Sequence, residues 1–273
     1  MSENTYVIRH PSAYMHLSPD ARSEVSDELL YGTVLRKISS KPQNGFLRCE
    51  TSYGYGGFIH ERYLSDYNAS EEEKTYIVTS AECDLLCEPV YKYRPVMTLS
   101  RGSLLWSEAV YDCSSRFFKV RHGTNDCYVR TGAVAPYSPL YSVKKGDNAR
   151  LRQKICDASL SYTGTQYRWA GKSAFGIDCS GLCFMAYFLC GIPLWRDAFA
   201  DRRYVYEIEK EELKAADLIY FKGHAALYIG GGEFVHASAS RGKVEVASLD
   251  SDSIVYREDL ADKVVCFARS SLL

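Results

Sequence analysis

The hydrophobic positions in the second half of the chain predict one buried helix and several strands. Residues 182–190 are apolar almost all round and contain neither glycine nor proline, which is typical of a buried helix. Three short runs at 217–221, 224–229 and 233–237 are apolar and rich in aromatic residues, and glycines 230–232 join the last two as a hairpin. The pattern predicts a sheet that packs against the helix.

The first half of the chain carries a weak internal repeat. At an offset of 70 residues, Gly32 aligns with Gly102 and Phe58 aligns with Tyr128, within short alternating segments that are broken by turns. This pattern predicts two copies of a small β unit, separated by the acidic run at 71–73.

A second boundary is predicted between residues 136 and 146, where prolines and a Lys-Lys-Gly run interrupt the pattern. After it, Asp147 is predicted to cap a helix whose apolar positions recur at three- and four-residue steps until Gly164. The chain has 273 residues, a length that suits two domains, or three if some are small. The predicted domains are 1–70, 71–140 and 141–273.

The candidate nucleophile is Cys179, which comes just before the apolar helix and directly after the predicted capping residue Asp178. A cysteine thiol has an ordinary pKa of about 8.5, and a helix N-terminus together with an imidazole favours the thiolate. His224 begins one strand of the hairpin and His236 ends the next, so the two are expected to lie side by side. Either histidine alone is better explained as structural, and their joint spacing favours catalysis.

These motifs resemble the NlpC/P60 family of bacterial cell-wall cysteine peptidases, a circularly permuted, papain-like group. The family shows a D-C-S-G turn, an H-[VA]-[GA]-x-Y strand and a later H-A strand. It also shows Y-x-W-G-G where this chain has residues 167–171, and a P-R-D-like turn at 193–197. Ala170 replaces the first glycine of the usual pair, and its Cβ costs about 1 kcal/mol if the position requires a positive φ.

The resemblance implies an α+β fold. The catalytic domain is expected to be permuted and papain-like, with a helix packed on an antiparallel sheet. Two small SH3-like β-barrels of the bacterial type are expected to precede it, in agreement with the internal repeat.

A mechanism follows as a hypothesis. Cys179 Sγ attacks an amide carbonyl, His224 takes up the proton and returns it to the leaving amine, and His236 holds His224 in the productive tautomer. The backbone N–H of Cys179 and the hydroxyl of Tyr167 are the candidate donors to the oxyanion.

The resemblance also implies a substrate and its contacts. Relatives with SH3-type domains before the peptidase cut the γ-D-glutamyl bond to a diamino acid in murein stem peptides, and some need a free N-terminal L-Ala. Asp178 and Ser180 are the best candidates for substrate contacts. Arg196 and Asp197 are expected to shape the same pocket, although they are also explained by a structural ion pair.

The ammonium of a free L-Ala requires an acidic and a tyrosyl side chain, which relatives supply near the first SH3-type domain. Tyr55 fits the tyrosine that precedes a G-W/F strand in relatives, and Glu24 is the matching acidic candidate. Barrel packing is the alternative explanation for Tyr55.

Composition narrows the expected partners and location. The net charge is −1, which provides no electrostatic basis for binding nucleic acid or an anionic membrane. No basic and apolar leader is found at the N-terminus, so a cytoplasmic enzyme of wall recycling is expected. The ten cysteines are spread over the chain and are expected to be reduced thiols. Their spacing does not match structural zinc sites, and no metal or cofactor is expected.

Two other functions stay open at this stage. The chain could be a peptidoglycan-binding protein with a decayed catalytic half, although all three catalytic candidates are present. It could also be a thiol acyltransferase or amidase acting on another acyl substrate, because related folds share the Cys-His-His arrangement.

Overall fold

The computed structural model describes residues 5–39, 41–67, 72–139 and 148–273. The chain divides into two compact units, Met1–Ser138 and Pro139–Leu273. Asp147, the predicted helix cap, and the predicted boundaries at 70/71 and 140/141 lie at least partly outside the described residues. No helix among the described residues is both long and apolar enough to cross a bilayer.

The first half of the N-terminal unit is a seven-stranded antiparallel sheet with the order β3-β2-β6-β5-β4-β1-β7. Its strands are β1 (Thr5–Ile8), β2 (Ser12–His16), β3 (Val25–Leu30), β4 (Val34–Lys37), β5 (Phe46–Thr51), β6 (Gly56–His60) and β7 (Leu64–Asp66). Alternate residues such as Ala13 and Met15, or Leu47 and Cys49, face one apolar core, as the two-residue period of strands requires.

The second half of this unit has a five-stranded sheet of order β13-β12-β11-β8-β14 and a two-stranded sheet of β9 and β10. The strands are β8 (Lys74–Val78), β9 (Glu82–Leu85), β10 (Met97–Ser100), β11 (Leu104–Ser107), β12 (Phe117–His122), β13 (Asn125–Arg130) and β14 (Val134–Pro136). Gly32 and Gly102, which the repeat aligned, both lie in tight turns at positive φ, 83° and 89°.

The two β units of the N-terminal half pack against each other at Tyr31. Its backbone carbonyl accepts from Leu104 N at 2.9 Å, and its hydroxyl lies 2.9 Å from His122 Nδ1. A Cβ at Gly32 would lie 2.2 Å from the Leu104 carbonyl oxygen, so only glycine permits this approach. The two copies therefore belong to one compact unit.

The C-terminal unit combines helices with a six-stranded antiparallel sheet of order β17-β22-β18-β19-β20-β21. Its elements are α1 (Asn148–Leu160), β15 (Lys172–Ser173), β16 (Gly176–Ile177), α2 (Cys179–Phe188), β17 (Val205–Ile208), β18 (Leu218–Phe221), β19 (His224–Gly230), β20 (Glu233–Ser238), β21 (Lys243–Ser248), α3 (Glu258–Ala261) and β22 (Val264–Ser270). Helix α2 lies against α1 and against strands β19 and β20.

The ends of α2 have identifiable causes. Asp178 has an extended backbone, and its side chain accepts from Gly181 N at 2.6 Å, so the helix begins at Cys179. The helix is buried from Cys179 to Tyr187, as its apolar sequence predicts. Gly191 follows the last turn with a φ of 78°, the left-handed conformation that ends many helices.

Candidate active site

Cys179 is the first residue of α2 and is 8% exposed. Its sulfur accepts hydrogen bonds from the backbone N–H groups of Ser180 and Ala225, which places it beside the start of β19. Burial, together with a smaller contribution from the Asp178 carboxylate, raises the pKa of the thiol to about 11. The resting group is therefore a thiol. The expected thiolate is a wrong prediction, because desolvation outweighs the helix terminus.

His224 and His236 form a hydrogen-bonded pair across the β19–β20 hairpin. His224 Nε2 lies 2.8 Å from His236 Nδ1, and the two rings are nearly perpendicular, at 80°. Burial, together with the positive charge of Arg257, lowers the pKa of His224 to about 4. Burial, with smaller contributions from His224 and Arg257, lowers the pKa of His236 to about 3. Both imidazoles are neutral near pH 7. Because His236 occupies Nε2 of His224, the Nδ1 atom is the one available to a thiol.

Aromatic packing supports this pair from the sheet. The ring of Phe221 lies 5.6 Å from that of His224, and the ring of Phe234 lies 5.3 Å from that of His236. Phe221 and Phe234 belong to the buried cluster on one side of the sheet. The hairpin thus holds the imidazoles in an apolar environment, which explains their lowered pKa values.

Asp178, Ser180 and Arg196 form a buried polar cluster at the nucleophile turn. Arg196 donates to both carboxylate oxygens of Asp178, at 3.0 and 2.9 Å, and to Ser180 Oγ at 3.0 Å. Arg196 is 1% exposed and Asp178 is 7% exposed. The structure therefore places these predicted substrate contacts in an ion pair that supports the turn. Asp197 lies half-buried next to Arg196 in the chain.

Tyr167 lies near the reacting sulfur. Burial raises the pKa of its phenol to about 12, with further contributions from Cys179 and Asp178, so the hydroxyl stays protonated and can donate. Its neighbour in the motif, Ala170, has a φ of 58° and is 3% exposed. Position 170 therefore has the positive φ at which glycine is favoured over alanine.

The two N-terminal candidates occupy different environments within their own unit. Tyr55 is half-buried, packs on the core of the first sheet, and donates its backbone N–H to Thr51 Oγ1 at 3.0 Å. Glu24 is exposed. A nearby acidic group that sequence reasoning missed is Asp27, which is fully buried and accepts from the Tyr53 hydroxyl at 2.5 Å. No motif marks Asp27, whose strand Val25–Leu30 mixes polar and apolar residues.

Sequence reasoning also missed the groups around the second histidine. Arg257 Nη1 lies 3.4 Å from His236 Nε2, and Glu245 Oε1 lies 3.7 Å from the same atom. No motif marks Glu245 or Arg257. In the part of the chain that the structure describes, no group of three or more His, Cys, Asp or Glu side chains is placed to hold a metal ion.

A buried cysteine at a helix N-terminus, beside a neutral histidine pair, defines the site of a cysteine-nucleophile hydrolase. The NlpC/P60 family profile matches residues 164–260, which include all three of these groups. Dipeptidyl-peptidase 6 of Lysinibacillus sphaericus is 33% identical over 259 residues, which cover 92% of this chain and 94% of that relative. The chain belongs to the NlpC/P60 family of cysteine peptidases.

Two further relatives define how far the likeness extends. A gamma-D-glutamyl-L-lysine dipeptidyl-peptidase of Bacillus cereus is 36% identical over 222 residues, covering 74% of this chain and 62% of that protein. A crystal structure of an NlpC/P60 family protein from Bacillus cereus aligns with a TM-score of 0.79 at 20% identity, covering 98% of this chain and 100% of that one. This second likeness shows that the fold is shared.

Proposed function

We propose that the protein is a cysteine peptidase that hydrolyses the γ-D-glutamyl–diamino acid bond of murein stem peptides with a free N-terminal L-Ala. The proposal that the protein is a peptidase rests on the arrangement of Cys179, His224 and His236. The bond is supported by the names of the relatives from Bacillus cereus and Bacillus subtilis, both gamma-D-glutamyl-L-lysine dipeptidyl-peptidases.

The reaction starts from a neutral thiol and a neutral imidazole. His224 Nδ1 accepts the thiol proton while Cys179 Sγ forms a bond to the carbonyl carbon. The backbone N–H of Cys179 and the protonated hydroxyl of Tyr167 donate to the oxyanion, where one donor contributes about 3 kcal/mol. The imidazolium then gives its proton to the leaving amine, and the C–N bond breaks. Water, deprotonated by His224, hydrolyses the thioester.

The N-terminal unit is proposed to consist of two bacterial SH3-type barrels. Each half of the unit has seven strands among its described residues, with equivalent glycine turns, and this supports the assignment. Recognition of the free amine requires a carboxylate and a phenol. Glu24 and Tyr55 stay the predicted pair, and the buried Asp27 with Tyr53 is a second candidate pair. Cytoplasmic wall recycling stays a prediction.

The test is a mass-spectrometric digest of L-Ala-γ-D-Glu-diaminopimelate and its lysine analogue, each with a free and an acetylated N-terminus. Wild type is compared with Cys179→Ala and with the control Cys190→Ala, which removes another thiol of the same unit. We expect release of L-Ala-γ-D-Glu from the free-amine peptides by wild type and the control alone. Equal cleavage of the acetylated peptides would show that the enzyme does not require a free N-terminal amine. No cleavage of any peptide would contradict the proposal and favour an acyltransferase or a wall-binding protein.

A further inference from the structure

The sheet of the C-terminal unit has a second concave feature, separate from the catalytic groups. It is an open cavity of about 490 Å³, and the described residues that line it include none of Cys179, His224 and His236. Apolar and aromatic side chains from four strands and from the segment after β21 form its floor: Ile219, Tyr228, Phe234, Leu249 and Phe267. Cavities of about 300–1,000 Å³ with a largely apolar lining are typical of small-molecule sites.

The register of the sheet places the floor residues on one face. Phe267 is the ladder partner of Ile219, and Phe234 is the ladder partner of Tyr228. All four belong to, or pack against, the apolar cluster that supports the histidine pair. Ile219 and Phe234 are 2% and 0% exposed, whereas Tyr228 and Phe267 are half-buried. The cavity is therefore the partly open end of that cluster.

Charged side chains surround the opening of the cavity. Lys210 and Glu211 lie in the short helical turn Lys210–Glu212, Asp250 lies in the loop after β21, and all three are exposed. The rim thus has two carboxylates and one ammonium. The aromatic rings of the floor attract cations as well, through their electron-rich faces. The lining therefore favours a ligand that has an apolar body and a positive charge.

Phe234 connects the cavity to the catalytic histidines. Its ring is fully buried, lines the cavity, and lies 5.3 Å from the ring of His236 at an angle of 69°. The two residues are two positions apart in β20, so their side chains share a face and lie about 7 Å apart along the strand. A molecule that contacts Phe234 from the cavity changes the packing against which His236 rests.

We propose that this cavity binds a small apolar amine, an aromatic or branched hydrocarbon body with one ammonium group, and that its occupant acts on His236 through Phe234. The hydrocarbon body packs on the floor, and the ammonium lies at the rim beside the carboxylates of Glu211 and Asp250. The site is separate from the peptide bond to be cleaved, and the inference does not depend on the proposed peptidase activity.

Three probes with the same ring system test the class of ligand. Indole, tryptamine and indole-3-acetate are neutral, cationic and anionic near pH 7, and NMR titration of the full chain measures their binding. We expect saturable binding of tryptamine, about two- to fivefold tighter than that of indole because exposed ion pairs contribute little, and weaker binding of indole-3-acetate. In Glu211→Gln/Asp250→Asn the preference for tryptamine over indole should disappear. No saturable binding of tryptamine, or equally tight binding of indole-3-acetate, would overturn the inference.

A variant that fills the cavity tests its location. Leu249→Trp adds a large ring to the floor, so we expect it to lose most of the tryptamine binding. Ile254→Trp adds the same ring at a fully exposed position of the same unit and is the matched control, which should bind as wild type does. A Leu249→Trp protein with a native circular dichroism spectrum and unchanged binding would show that the inference is wrong. If this variant does not fold, the rim variant decides, because its changes lie only at exposed positions.

NMR of the histidine side chains tests the action on His236. We expect tryptamine to shift the ring signals of His236, which are assigned with the His236→Gln variant, and to leave those of the exposed His10 unchanged. Saturable binding without a shift at His236 would overturn the proposed action through Phe234. Because these measurements need no substrate, their outcomes are independent of whether the proposed peptide is cleaved.

Discussion

Replacing Arg196 with methionine tests how the nucleophile turn is supported. Arg196 is 1% exposed and donates to both carboxylate oxygens of Asp178, which is itself 7% exposed. Methionine occupies a similar volume but has no donor, so the carboxylate beside Cys179 stays buried and loses its counter-charge. Breaking a buried ion pair by removing one partner costs about 3–5 kcal/mol.

Urea unfolding followed by circular dichroism measures this loss. For Arg196→Met we expect the free energy of unfolding of the C-terminal unit to fall by about 3–5 kcal/mol. Arg203→Met is the matched control, because Arg203 pairs with Asp201 at 2.8 Å while 59% of its side chain is exposed, so water replaces the lost partner. In an Asp178→Asn background the loss should shrink, since a neutral amide needs no counter-charge.

Two outcomes would refute this reasoning. If Arg196→Met is no more destabilising than Arg203→Met, the buried ion pair does not hold the turn. If the loss is unchanged in the Asp178→Asn background, the packing of the Arg196 side chain is responsible, and its charge is not.

Three other predictions follow from single features. Ala170→Gly should raise the free energy of unfolding by up to about 1 kcal/mol, because position 170 has a φ of 58°; a decrease in urea unfolding experiments would contradict this strain. Oxidation with diamide should link Cys87 to Cys127. Leu86 and Tyr128 exchange two backbone hydrogen bonds in an antiparallel pair, so the adjacent residues Cys87 and Cys127 lie opposite each other with their Cα atoms about 4.5 Å apart. Peptide mapping that finds both thiols free would contradict this register. Stability should fall as the pH drops from about 6.5 towards 4, because the pKa values of His224 and His236 are lowered to about 4 and about 3 and the unfolded chain binds more protons in this range. The expected loss is about 2 kcal/mol for each histidine between pH 7 and pH 5, and a variant with glutamine at both positions should lack it in urea unfolding.

Much of the catalytic half was predictable from local pattern. The apolar run at 182–190 corresponds to α2 (Cys179–Phe188), and the predicted strands at 217–221, 224–229 and 233–237 correspond to β18, β19 and β20 within one or two residues. These elements follow from side-chain periodicity and from capping or turn residues, which act over a few positions. The NlpC/P60 resemblance, based on the same motifs, is confirmed.

The electrostatic state of the site was not predictable in this way. A helix N-terminus predicted a thiolate at Cys179, whereas burial raises the pKa of the thiol to about 11. Asp178 was predicted to contact substrate, and the structure adds that its carboxylate is held by Arg196 from 18 positions away. Desolvation depends on every group packed around an atom, so it cannot be read from the neighbours in the chain.

The sequence by itself determined which residues form the nucleophile turn and the histidine hairpin, because turns, caps and strand periods are local properties of the chain. The tertiary structure decided what faces those residues. Glu245 lies opposite His236 through the register of β20 with β21, and Arg257 contacts both residues from the segment before α3. Register and packing are set by the burial of whole faces, so the groups that surround the two histidines become visible only in the folded chain.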